Sequence, residues 1–315
     1  MPAAGYELDV LNVSGLDRRN PARAIAALGR AAHGVGAARR ILRERGADAV
    51  LGAGGYVAGP VGLAAVRTGI PLVLTEADSH LGLTNRLLAR RARRVCLAFP
   101  IPGREGGRYL VTGRPVPRAV LDADRDGARE RFEIAAGESC LAIFGGSLGA
   151  RSVNEAALDA FLADGAAARI LHVTGRRDHS DVQARWEAAG SPGHYTPIAY
   201  LPDLGEVLAA CDLVVARAGG SIFEVAAAGR PAILIPYPHA TADHQSQNAR
   251  WMQEGGAAVV IADRELSAER LRDAAQELLG EPERLAEMSA ASRALAKPDA
   301  AERVAAEVLG ALGAT

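Results

Sequence analysis

Residues 212–231 read DLVVARAGGSIFEVAAAGRP. A strand-forming run, DLVVA, empties into Gly219 and Gly220, and an apolar helix pattern follows at once through Ser221, Ile222 and Phe223, with Glu224 in its first turn. Glycines at such a junction remove Cβ atoms. Backbone N–H groups and the positive end of a helix dipole are then open to an anion, the usual binding arrangement at the C-terminal edge of a parallel sheet. A carboxylate in the first helical turn is favoured by the same dipole. Alone it is an ordinary helix-start acid; beside a phosphate loop it can also accept two hydrogen bonds from a sugar diol.

Two further turns have the same form. GAGGYVAGP (52–60) follows the apolar run DAVL and contains Gly54, Gly55, Tyr56 and Gly59. FGGSLGARSVN (144–154) follows CLAI and contains Gly145, Gly146 and Gly149. Neither is a P-loop, since no Gly-Lys-Ser/Thr follows, and neither has the spacing of a dinucleotide fingerprint. Ser147 stands at the mouth of the second turn, where its hydroxyl either grips a diphosphate or caps the next helix.

Around these turns the chain alternates short apolar runs with helical patterns. DAVLG, PLVLT, RVCLAF and RYLVT precede residue 114; CLAIFGG, RILHVTG, DLVVA, PAILIP and AAVVIA follow it. Their continuous apolar character predicts parallel strands covered on both faces. Helices are expected over 21–45, 59–68, 84–92, 150–163, 181–189, 221–228, 242–254, 267–279 and 299–312. Prolines and charges over 114–130 mark a break, so the fold class is α/β, with two Rossmann-like parallel-sheet domains at 1–117 and 118–297. The segment 298–315 is expected to be a helix returning to the first domain.

Composition supports this division. The 315 residues are 49% hydrophobic and 23% charged, enough for about two cores. The net charge of −1 conceals +10 through Arg118 and −11 beyond it, which suggests different partners for the two halves. Aromatics are only 4%, and no recognition motif points to nucleic acid. Cys96, Cys140 and Cys211 lie apart in or beside apolar runs, with neither metal nor disulfide spacing. Asp243 and His244 read as capping and surface residues, and no metal is expected. With no signal-like start and no apolar run of about 18 residues, a cytoplasmic protein that does not span a membrane is expected.

GAGGYVAGP, GGSLGA, the block 217–249 (RAGGSIFEVAAAGRPAILIPYPHATADHQSQNA) and LTN after TEADSHLG together resemble the MurG family over essentially the whole chain. That family transfers N-acetylglucosamine from UDP-GlcNAc to the lipid-linked acceptor of peptidoglycan synthesis, converting lipid I to lipid II. The resemblance implies a GT-B fold, two Rossmann-like domains facing a cleft, and no cofactor. It implies that Ser147 meets the diphosphate, Glu224 the ribose, the backbone near Leu201 the uracil, Gly219 to Phe223 the nucleotide, and Gln245 the sugar hydroxyls.

Four departures accompany the resemblance. The family's first glycine loop, GGTGGH-like and ending in a proposed catalytic histidine, is missing; the N-terminal domain is therefore expected to be incomplete, through a misassigned start or a fragment, with a genuine short variant as the alternative. TEADSH (75–80) replaces His-Glu-Gln-Asn, keeping Glu76 and placing Asp78 where the asparagine stood. TGRPVPR puts Pro117 at an arginine position, with Arg118 or Arg114 as substitutes. The segment between Arg217 and Glu224 is one residue shorter than in many relatives.

The implied chemistry is inverting transfer. Glu76 and His80 are the only base candidates seen, each as readily structural. Arginines 86, 90, 91, 93 and 94 beside Leu87 and Leu88, with a second basic segment at 22–45, suit an anionic membrane surface. A peripheral enzyme on the cytoplasmic face is the primary expectation. The alternatives are a nucleotide-sugar-binding fragment without turnover and a GT-B transferase for another glycolipid.

Overall fold

A computed structural model describes residues 5–14, 21–163, 168–240 and 243–313, and their side chains except at 21–28. Residue 242, the expected start of one helix, and the first side chains of the second basic segment lie outside that description. Two compact units emerge: residues 1–114 with 299–315, and residues 115–298.

The first unit contains α1 (Pro21–Glu44), β1 (Val50–Gly52), α2 (Gly55–Thr68), β2 (Leu72–Glu76), α3 (Leu83–Leu88), β3 (Arg94–Leu97) and β4 (Tyr109–Val111). Its described strands pair in the order β1-β2-β3-β4, all parallel. Leu72, Leu74, Val95 and Leu97 pack with Ala65 and Leu88 into one core. α2 starts at Gly55, four residues before the sequence pattern suggests. Positive φ at Gly54 (77°) and Gly55 (73°) completes the turn early, so Tyr56 and Gly59 lie on the helix. α3 packs beside α2: a Cβ at Gly62 would come 2.5 Å from Leu88.

The second unit contains α4 (Arg118–Leu121), α5 (Arg125–Arg131), β5 (Cys140–Phe144), α6 (Arg151–Phe161), β6 (Arg169–Val173), α7 (His179–Ala188), β7 (Tyr195–Ile198), α8 (Gly205–Ala210), β8 (Leu213–Ala216), α9 (Ile222–Ala227), β9 (Ala232–Leu234), α10 (His244–Glu254), β10 (Ala258–Val260), α11 (Ala268–Leu279) and α12 (Pro282–Leu295). Its described strands run parallel in the order β10-β9-β8-β5-β6-β7. Leu141, Ile143, Ile170, Leu213, Val215 and Ile233 are almost wholly buried at its centre, each contributing roughly 1.5–3 kcal/mol.

The stretch 114–130, read only as a charged break, carries α4 and α5. Asp124 caps α5 by accepting from the Asp126 and Gly127 amides. Arg125 then reaches the Ala209 and Cys211 carbonyls and Asp212, whose carboxylate also accepts from the Cys140 amide. The last helix, α13 (Ala300–Leu312), belongs to the first unit: Val304, Val308 and Ala311 pack on Val73 and Cys96, and Glu307 accepts from Arg94 at 2.8 Å. Arg94 is thereby paired within the unit while its side chain stays partly exposed. All three cysteines are buried and free, and burial raises the Cys96 and Cys211 thiols to about 11.

Candidate active site

Strand pairing brings the two glycine turns of the second unit together. β5 and β8 are neighbours, with Phe144 opposite Ala216, so the turns leaving them start side by side; the Arg217 amide donates to the Phe144 carbonyl. Gly146, Ser147 and Leu148 are exposed, Leu148 by 65%. The first residue before α6 is Ala150. Ser147 therefore does not cap that helix.

Close backbone approach dictates the glycines. A Cβ at Gly145 would sit 2.4 Å from the Ala150 methyl, and one at Gly149 (φ 86°) 2.3 Å from the Thr174 carbonyl oxygen. Gly175 (φ 84°) would place a Cβ 2.1 Å from the Gly149 nitrogen. The β6–α7 turn is thus pressed against the β5–α6 turn, and the Arg176 amide donates to the Ser147 carbonyl. Arg176 lies 3.8 Å over the Tyr200 ring, next to half-buried Leu201.

Around the second turn, Gly219, Gly220, Ser221 and Glu224 are half-buried, whereas Ile222 and Phe223 face the core. Phe223 packs on Trp251 of α10, ring centroids 5.4 Å apart. Asn248 of the same helix donates to the Ala218 carbonyl. Gln245 is oriented as well. Its Oε1 accepts from the Tyr237 amide, and its Nε2 lies 3.9 Å from the Cβ position of Gly219. Asp243 is exposed and accepts from the Ser246 hydroxyl rather than from a helix amide.

Sequence reasoning missed the residue that braces both turns. Arg217, 8% exposed, pairs with Asp263 at 2.6 Å and donates to Ser152 and to the Ile235 and Pro236 carbonyls. The available signal was a lone guanidinium at the end of the apolar run DLVVA.

The first unit has its own cluster. Glu76 accepts from the Gly82 amide (2.8 Å), Asn85 Nδ2 (3.0 Å) and the Asp78 amide (3.3 Å). It is 8% exposed, and both oxygens are occupied in holding the loop after β2. That geometry makes it a brace of the loop. Asn85 also donates to the Thr75 carbonyl and lies 3.4 Å from the Cβ position of Gly54, while Thr84 donates to the Gly55 carbonyl. Among the described residues, His80 Nδ1 is buried without a hydrogen-bond partner. Arg118 is an exposed residue at the start of α4, in the second unit.

Two all-parallel α/β units, with glycine turns meeting at the sheet edge of the second, are the architecture of a GT-B glycosyltransferase. The glycosyltransferase family 28 N-terminal domain matches residues 1–97 and its C-terminal domain residues 140–304. The UDP-N-acetylglucosamine--N-acetylmuramyl-(pentapeptide) pyrophosphoryl-undecaprenol N-acetylglucosamine transferase of Moorella thermoacetica is 42% identical, over 96% of this chain and 85% of that protein. The corresponding Salinibacter ruber protein is 38% identical, over 98% and 84%. Among solved structures, Acinetobacter baumannii MurG aligns with a TM-score of 0.71 and 31% identity, over 90% of this chain and 79% of that one. A Neisseria meningitidis UDP-GlcNAc 2-epimerase bound to UDP-GlcNAc, at 14% identity, TM-score 0.64 and coverage of 95% and 84%, shares the fold. The chain belongs to the MurG family.

Proposed function

We propose that the chain transfers N-acetylglucosamine from UDP-GlcNAc to the 4-hydroxyl of undecaprenyl-pyrophosphoryl-MurNAc-pentapeptide, turning lipid I into lipid II with inversion at the anomeric carbon. The observation that carries this is the meeting of the Gly145–Gly149 and Gly219–Ser221 turns through the β5–β8 pairing, with Glu224 and Gln245 alongside. The diphosphate occupies the exposed turn at Gly146 and Ser147, ahead of the N-terminus of α6, where amides and the helix dipole stabilise charge as UDP leaves. Glu224 accepts from the ribose diol, the backbone near Leu201 meets uracil, and Gln245 donates Nε2 to a sugar hydroxyl. On the acceptor side, His80 is the base, supported by its buried, unpartnered Nδ1.

The first unit also offers a surface for lipid. Leu87 (69% exposed), Tyr56 (56%), Val57 and Leu51 are uncovered, and Arg86, Arg90 and Arg91 are exposed with them. Each arginine near an anionic leaflet is worth about 1 kcal/mol. Among the described residues no helix is long and apolar enough to cross a membrane, and the enzyme works peripherally at the cytoplasmic face. The test is conversion of radiolabelled UDP-GlcNAc and lipid I by the purified chain. Lipid II formation that falls about 100-fold or more in His80→Gln supports the assignment; absence of lipid II formation rejects the proposed reaction.

A further inference from the structure

His172 lies in the middle of β6 with no exposed surface, and burial pushes its imidazole down to about 3, so the ring is neutral. Its Nδ1 is 2.6 Å from the Tyr195 hydroxyl and its Nε2 3.0 Å from Asn154 Oδ1. The tautomer follows from the partners. Asn154 Nδ2 donates to the Thr174 carbonyl (3.0 Å) and to Asp178 Oδ2 (3.2 Å), which leaves Oδ1 as an acceptor only. Nε2 therefore carries the hydrogen, and Nδ1 accepts from Tyr195.

The chain of contacts ends at the phosphate turn. The Thr174 carbonyl and the Asp178 carboxylate, both held by Asn154, are the groups that a Cβ at Gly149 would meet, at 2.3 and 2.9 Å. Asp178 is itself 4% exposed and paired with Arg177. We infer that His172 is a positioning residue for the nucleotide-diphosphate site. By fixing the orientation of the Asn154 amide, it holds the β6–α7 turn as the wall against which the Gly145–Gly149 turn takes its shape. Asn154 closes FGGSLGARSVN and His172 lies within RILHVTG, but neither stands out there and Tyr195 lies outside every motif, because each sits singly in an ordinary strand or helix pattern. This inference rests on the donor-site assignment above and adds to it the buried part that shapes the turn.

The test compares UDP binding by calorimetry in the whole chain and in His172→Leu, His172→Gln and Leu278→Ala. Loss of one buried hydrogen bond predicts roughly tenfold weaker UDP binding in His172→Leu. His172→Gln, which keeps a donor, is expected to recover most of it. Leu278→Ala truncates a core residue of α11; it is expected to lower the unfolding temperature and leave UDP affinity unchanged, which separates positioning from general destabilisation. Nitrogen-15 NMR of wild-type His172 is expected to show the proton on Nε2. UDP affinity in His172→Leu equal to wild type, or a proton on Nδ1, overturns the inference. If His172→Leu does not fold, the glutamine variant and the NMR signal decide. Failure of the wild-type chain itself to bind UDP would instead reject the donor site.

Discussion

Replacing Arg217 by Met keeps most of the side chain's apolar stem and removes its guanidinium. In the native chain that group takes Asp263 at 2.6 Å, Ser152 Oγ at 2.7 Å and the Ile235 and Pro236 carbonyls at 3.2 and 3.3 Å. Ser152 donates in turn to Asp263, which closes a triangle. Breaking a buried ion pair from one side costs roughly 3–5 kcal/mol. The Asp263 side chain keeps 24% of its exposure, so water solvates part of the abandoned charge and a loss of roughly 2–4 kcal/mol is expected. Equilibrium urea unfolding followed by tryptophan fluorescence reads the relevant unit, because both tryptophans, Trp186 and Trp251, lie within residues 115–298. A double-mutant cycle with Asp263→Ala should give a coupling above about 1 kcal/mol. A loss below about 0.5 kcal/mol, or no coupling, would refute the role of Arg217 as the brace beneath the two turns.

Two other expectations follow. His172 has a folded value of about 3 against an ordinary 6.5, so the unfolded chain binds a proton that the folded one refuses. Stability should fall as pH drops through that window, by up to about 1.4 kcal/mol per pH unit; His172→Gln should show a shallower acid limb in the same urea titrations. Changing Arg86, Arg90 and Arg91 to Gln should weaken sedimentation with anionic vesicles by roughly 3 kcal/mol in sum while leaving UDP binding intact, and unchanged sedimentation would remove this face from the membrane contact.

Local chemistry explains how much could be read beforehand. The runs CLAIF, RILHV and LVVA are continuously apolar because parallel strands covered on both faces require it, and they lie where their pattern places them. β7 was missed because YTPI holds a proline and a polar residue and is an edge strand, where burial imposes no strict pattern. α8 is only six residues long, and α12 buries little beyond Met288 and Ser292, so neither has a strong periodic signal. The glycine turns were legible because residue type alone dictates their backbone. Their adjacency was implied by the family resemblance, which sets Ser147 and Glu224 on one nucleotide, and not by local pattern: strand order places β5 between β8 and β6, a non-local fact. Arg217, Asn154 and His172 became visible only when that order brought their partners together.

The most direct measurement is calorimetric titration of UDP-GlcNAc into the purified chain and into Glu224→Ala. Saturable binding by the wild type, with at least about tenfold loss in the variant from removing a charged hydrogen-bond acceptor, is the expected result. Equal affinity in the two proteins, or no binding by the wild type, would contradict a UDP-sugar pocket formed where the two glycine turns meet.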